Sequence, residues 1–408
     1  MQEQKSTFRW LVLILLFLNI LFATISMNCI PPLFKEILEQ IPLTKAQMGS
    51  VMGVLTLASL FFAPIGGGIS DKFGSRWALG IAVLVVAIAG ALRACIESAN
   101  DLIICMFFIG AGMAVLGPNM PKALGTWFSQ KELALANGLC ISGMGIGGAI
   151  AMGTAASLMS PSFGGWRNTM LVIGVAVLAT GILWMLLYRG RKIEGTSEKK
   201  HQSIVENFRK VFRVKDIWLI SIFYGLNMVG LMAVITFLPI SLEERGVERA
   251  GELVSIMMGM TVVFNILGGM LSDRVGKRKP FLLISALIMG LSFLSFAAFT
   301  GVPLIISLMF AGAAMGTIAP VLMTIPVELE EISTGLAATA VGLIFMVGNT
   351  GGFFGAIVSG KLMDLTGSHW AGFIFMASVL IVAAGFIIPL RETGRKKKPG
   401  ETASTPSH

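Results

Sequence analysis

Two short charged stretches interrupt an otherwise greasy chain. Ser70 to Trp77 reads SDKFGSRW, and Ser272 to Lys279 reads SDRVGKRK, about half a chain further on. Each sets an aspartate, Asp71 or Asp273, beside a base and a nearby glycine, with further bases at Arg76 or at Arg274 and Arg278. A lone carboxylate has a definite use where helices end. A helix N-terminus carries partial positive charge and unpaired N–H groups, and an aspartate can cap it. A second kind of chemistry is offered by polar residues inside apolar runs: Asn19, Ser26, Asn28, Asn119, Lys122, Tyr224, Asn227, Thr236, Thr317 and Thr324. A cation within an apolar run is a functional candidate, able to hold a carboxylate or a small inorganic anion. The plainer alternative for Lys122 is snorkelling to the interface. For the amides and hydroxyls it is hydrogen bonding between helices.

These residues need elements to position them. The chain is 55% hydrophobic and only 13% charged, with a mean hydropathy of +0.82. Charged residues alone make up about 25% of a soluble domain. About 20 apolar residues cross a bilayer as a helix. Twelve such runs can be counted, roughly 10–33, 46–66, 77–97, 102–125, 133–159, 167–188, 217–241, 251–270, 280–299, 302–326, 335–360 and 370–390. Most of the 31 Lys and Arg fall between runs on the side that carries both termini, which by the positive-inside rule places both termini in the cytoplasm. That placement argues against nucleic acid as the partner of a +9 chain and for a lipid bilayer. Cys29, Cys95, Cys105 and Cys140 lie in or beside apolar runs without CxxC spacing, and the three histidines are scattered. No metal site and no cofactor are expected.

The expected fold is all-α and polytopic, twelve transmembrane helices in two pseudo-symmetric six-helix bundles. The expected boundaries are 1–188 for the first bundle, 189–215 for a basic linker, 216–390 for the second bundle and 391–408 for a basic tail. The halves match beyond the charged stretch. Phe108, Gly110, Ala111, Met113 and Pro118 correspond to Phe310, Gly312, Ala313, Met315 and Pro320. Trp10, Asn19 and Pro31 correspond to Trp218, Asn227 and Pro239. Halves of the same orientation are related by an axis along the membrane normal. Asn19 and Asn227 would then face one another across it. Within the linker, Ile204 to Val214 has spaced apolar residues and is expected as a short amphipathic helix on the inner surface.

GGISDKFGSR (Gly67–Arg76) and GMLSDRVGKR (Gly269–Arg278) resemble the signature loop of the major facilitator superfamily. The first copy departs at Ser75, where the family has a base. The resemblance spans the chain: twelve helices, a basic central linker, and the loop after spans 2 and 8. It implies a secondary carrier working by alternating access. It makes Gly67, Asp71, Arg76, Gly269, Asp273, Arg274 and Arg278 a gating set, with Asp71 meeting the start of span 11 near Ser333 and Thr334, Asp273 meeting the start of span 5, and Gly67 and Gly269 allowing close approach. Spans 1, 4, 7 and 10 line the path in the family, which makes Asn19, Asn28, Asn119, Lys122, Tyr224, Asn227 and Thr324 the candidate substrate contacts. GPNMPKALGTWF around Lys122 is similar to the same stretch in carriers of organic anions. The expected function is carriage of a small solute, a small organic anion in particular, across a bacterial inner membrane by a monomer.

Mid-span carboxylates are missing, so coupling uses Glu328 at the end of span 10, or protons ride with the substrate, or transport is uncoupled. Arg93 and Glu97 are expected as a structural pair one turn apart. Two alternatives stay open: an exporter of neutral or cationic metabolites with Lys122 structural, and a sensor that transports nothing. An enzyme would need a clustered catalytic set at membrane depth, and the sequence offers none.

Overall fold

The computed structural model describes residues 8–188, 204–332 and 334–394. It holds twelve helices long and apolar enough to cross a membrane, and no strand among the described residues. They are α1 (Phe8–Leu38), α2 (Lys45–Phe73), α3 (Ser75–Leu92), α4 (Ala99–Gly125), α5 (Gln130–Thr154), α6 (Trp166–Leu187), α7 (Lys215–Glu244), α8 (Ala250–Val275), α9 (Lys279–Ala298), α10 (Val302–Glu328), α11 (Thr334–Thr366) and α12 (His369–Ile387). A short helix is present within the expected stretch, Ile204–Val211. Residues 189–203 of the linker and 395–408 of the tail lie outside the described residues.

Local chemistry sets the ends. Thr44 and Gln47 form a reciprocal capping box at the start of α2, and Ser98 and Asp101 do so for α4. Each satisfies orphan amides of a first turn. α1 breaks at Cys29, where Pro31 and Pro32 remove two consecutive backbone donors. α5 passes through a π turn at Ala155–Met159 into Ser160–Phe163. The two charged stretches are mostly helical. α2 runs on to Phe73 and α8 to Val275, each closed by a glycine at positive φ, Gly74 at 83° and Gly276 at 68°.

α1 to α6 pack on one another, and α7 to α12 do likewise. Between the two sets the main contacts are α2 on α11 and α5 on α8. Both crossings are tight toward the face that holds Lys45, Gly251 and Asp364. A Cβ at Gly49 would strike the Ala356 carbonyl, one at Gly360 the Lys45 carbonyl, and one at Gly251 the Met152 carbonyl. Toward the other face, which holds Phe8, Arg278 and Ile387, the crossings slacken. Gly68, Gly138 and Gly342 have nothing within 4 Å of where a Cβ would stand.

At this second face the segment after α12 is woven into the α8–α9 turn. Glu392 Oε1 accepts from the backbone N–H of Arg278 at 2.6 Å and of Lys279 at 3.4 Å, capping α9. Thr393 Oγ1 donates to Glu328 at 3.0 Å. Arg391 reaches Glu331 at 2.6 Å and Asp216 at 3.4 Å.

Candidate substrate path and helix-end contacts

The expected polar residues of the path fall into two groups. Most are turned inward and hydrogen-bonded close to home. Asn19 donates to Leu15 O of its own helix at 2.8 Å, and its buried Oδ1 has no partner. Asn28 donates to Thr24 O at 3.1 Å. Asn119 donates to Gly66 O on α2 at 3.1 Å and to Val115 O at 2.8 Å, again with a buried Oδ1 lacking a partner. Asn227 donates to Met289 Sδ on α9 at 3.7 Å. It therefore points into its own half, and the expected meeting of Asn19 and Asn227 across the axis is not made. Thr324 donates to Val321 O of its own helix at 2.8 Å. Tyr224 is buried, edge-on to Phe345 with ring centres 5.9 Å apart, and lies over Gly348. Lys122 differs in burial. It stands exposed on α4 beside exposed Gly117, Pro118, Pro121 and Gly125.

One residue takes a partner other than the expected one. Arg93 and Glu97 do not pair. Glu97 is exposed, while Arg93 is 0% exposed and reaches α1. Its Nη2 donates to Ser26 Oγ at 2.7 Å, its Nη1 to Ser26 O at 2.8 Å, and its Nε to Gly90 O at 3.2 Å. Cys29 Sγ and Met106 Sδ lie 3.8 and 3.7 Å from Nη1. No carboxylate touches it among the described residues. A buried unpaired charge is costly, so the guanidinium is solvated by neutral acceptors, and those acceptors sit at the α1 break. Arg93 clamps that break.

The gating set also resolves residue by residue. Arg76 donates from Nε to Met185 O at 3.0 Å, and Trp184 Nε1 returns a bond to Arg76 O at 3.1 Å, tying the first turn to α6. Arg278 holds Glu328 through Nη2 at 2.7 Å, Ser272 Oγ at 2.9 Å and Asp273 at 2.6 Å. Hydrogen bonding to Glu328, then to Asp273, raises the Arg278 pKa. Glu328 thus serves Arg278 as counter-ion. A cavity of about 390 Å³ is lined by Asp273, Gly276, Arg278 and Glu328. Asp273 is mostly exposed and paired within its own loop, and Arg274 is exposed. The close approach expected at Gly269 falls one residue earlier. A Cβ at Gly268 would strike Thr317 of α10 and one at Gly66 would strike Val115 of α4, whereas one at Gly269 would meet Pro320 at an ordinary 3.4 Å. Those glycines seat α8 and α2 within their own halves. Gly67 lies inside α2; the Asp71 side chain and Ser333, named for the other latch, lie outside the described residues.

Comparison with known proteins decides the family. The family model described as Major Facilitator Superfamily matches residues 16–260 and 246–407. The chain belongs to that superfamily. It is a multi-pass membrane transporter of bacterial type. It is 25% identical over 402 residues to a probable sulfoacetate transporter of Cupriavidus necator, covering 90% of each chain. It is 25% identical over 372 residues to a probable nitrate transporter of Staphylococcus carnosus, covering 87% of this chain and 89% of the other. Its fold matches the solved structure of a bacterial homologue of the human lysosomal transporter Spinster with a TM-score of 0.79 at 16% identity, covering 94% and 96%.

Proposed function

We propose that the chain carries a small organic anion across a bacterial inner membrane by alternating access, both termini cytoplasmic, without chemical change to its cargo. Residues 1–188 and 216–390 act as the two moving bundles, each working as one body. Lys122 is the anion's charge partner. The observation that carries this is the exposure of Lys122 in the last turn of α4, among Gly117, Pro118 and Pro121, since a cation within an apolar span is a functional candidate. Arg93, just past the end of α3, is by contrast sealed from solvent. Relatives named for sulfoacetate and nitrate transport support the sign of the cargo. The slack α2–α11 and α5–α8 crossings at one face and tight ones at the other suit a carrier resting open toward the termini.

The test is uptake of labelled sulfoacetate and nitrate into proteoliposomes, against empty liposomes. Saturable uptake of an anion is expected, with KM raised about tenfold or more in Lys122→Ala, the scale of a lost charged hydrogen bond. Equal uptake by variant and wild type overturns the role of Lys122. Uptake of neither anion, together with uptake of a cationic or neutral metabolite, overturns the anion reading.

A further inference from the structure

Asp364 occupies the last turn of α11. A carboxylate there opposes the dipole of its own helix. Its oxygens instead serve another helix. Oδ1 accepts from the backbone N–H of Lys45 at 2.9 Å and Oδ2 from that of Ala46 at 2.8 Å, the first two residues of α2. The capping box of α2 takes only the Gln47 amide at this end, so two orphan donors of the first half are satisfied from the second. Lys45 carries a further link. Lys45 Nζ lies 2.5 Å from Glu244 Oε1 at the end of α7. Glu244 also pairs with His369 Nε2, whose Nδ1 is 3.0 Å from Ser241 Oγ.

α2 and α11 run antiparallel, and each carries an aspartate near its C-terminal end. Asp71 lies in the last turn of α2 at one face, and Asp364 in the last turn of α11 at the other. We infer that Asp364 is the latch of the Lys45 face, with Lys45–Glu244 as its side-chain partner: the cap from α11 onto the first turn of α2 holds the halves together at that face and breaks when they tilt apart there. This rests on the alternating-access reading above. The device is one-sided. At the α5–α8 crossing no carboxylate of the partner helix caps the first turn of α8 among the described residues. Gly251 packs there against the Met152 carbonyl and Gly153 against Ser255. The halves would therefore part at the α2–α11 crossing once the latch is broken, with the glycine crossing following.

Hydrogen exchange read by mass spectrometry on full-length protein in nanodiscs tests this without any ligand. In Asp364→Asn the amides of Lys45 and Ala46 should exchange faster, as for any lost cap. The latch further requires that peptides at the α5–α8 crossing, around Met152–Ser157 and Arg249–Ser255, exchange about tenfold faster, the scale of one lost cap. Peptides at Gln130–Gly138 on the other face should slow. Glu244→Gln should move the same remote peptides in the same direction, and Asp364→Glu, which keeps the charge, should move them less. If Asp364→Asn and Glu244→Gln alter only peptides at the start of α2, Asp364 is an ordinary helix cap and the latch is overturned, while anion uptake by wild type keeps the carrier reading. Remote shifts without uptake of any solute by wild type would keep the two-face switch and overturn the carrier reading.

Discussion

At the scale of residues, two cations near helix ends sit in opposite settings. Lys122 is exposed on α4, and Arg93 is sealed against α1. Ser26 supplies Arg93 with both a hydroxyl and a carbonyl. Ser26→Ala should therefore leave a guanidinium donor unsatisfied at the α1 break, and lower stability by about 1–3 kcal/mol, read as thermal unfolding in detergent. Serine to alanine with no change would mean the hydroxyl is dispensable to the clamp. Lys122 stood out in the sequence because a charge inside an apolar run is rare. Arg93 was legible as a charge but not as a clamp, since Glu97 is its nearest acid in sequence while its acceptor Ser26 lies on another helix. Asp364 carried a faint signal in KLMDLTG, an acid at the wrong end of its own helix. Reading it required knowing which helix start lay alongside.

At the scale of elements, hydropathy marked all twelve spans to within a few residues, because apolar length is what a bilayer demands. Pro31 and Pro32 were visible, but where the chain would break was not. Glycine function was legible only in part. A glycine in sequence reveals freedom to pack closely, and the partner decides whether that freedom is used. Gly351 faces the Gly225 backbone within the second half. Gly351→Ala should overpack that contact and cost about 1–3 kcal/mol. Gly138 has open space, and Gly138→Ala should hold or raise the unfolding temperature, by up to about 1 kcal/mol in stability. Equal losses in both would mean that Gly138 packs in the resting protein.

At the scale of the whole molecule, duplication was readable because it repeats motifs, whereas which face is packed leaves no mark in a sequence. The packing predicts thiol reactivity in the resting protein. Cys95 is exposed and should react with a maleimide in wild type, while buried Cys29, Cys105 and Cys140 should not. In a variant lacking Cys95, Gly342→Cys should react and Ala356→Cys, at a position 0% exposed, should stay protected. The reverse pattern would place the resting opening on the face of Lys45.

The weave of Glu392 and Thr393 into the α8–α9 turn bears on biogenesis. Synthesis runs from the N-terminus, so α9 enters the bilayer with its first amides uncapped and Glu328 missing one of its donors. That corner waits for everything up to residue 394 to leave the ribosome. Until then the second half is inserted but unfinished, and a quality-control protease that samples that turn would meet its substrate in this interval.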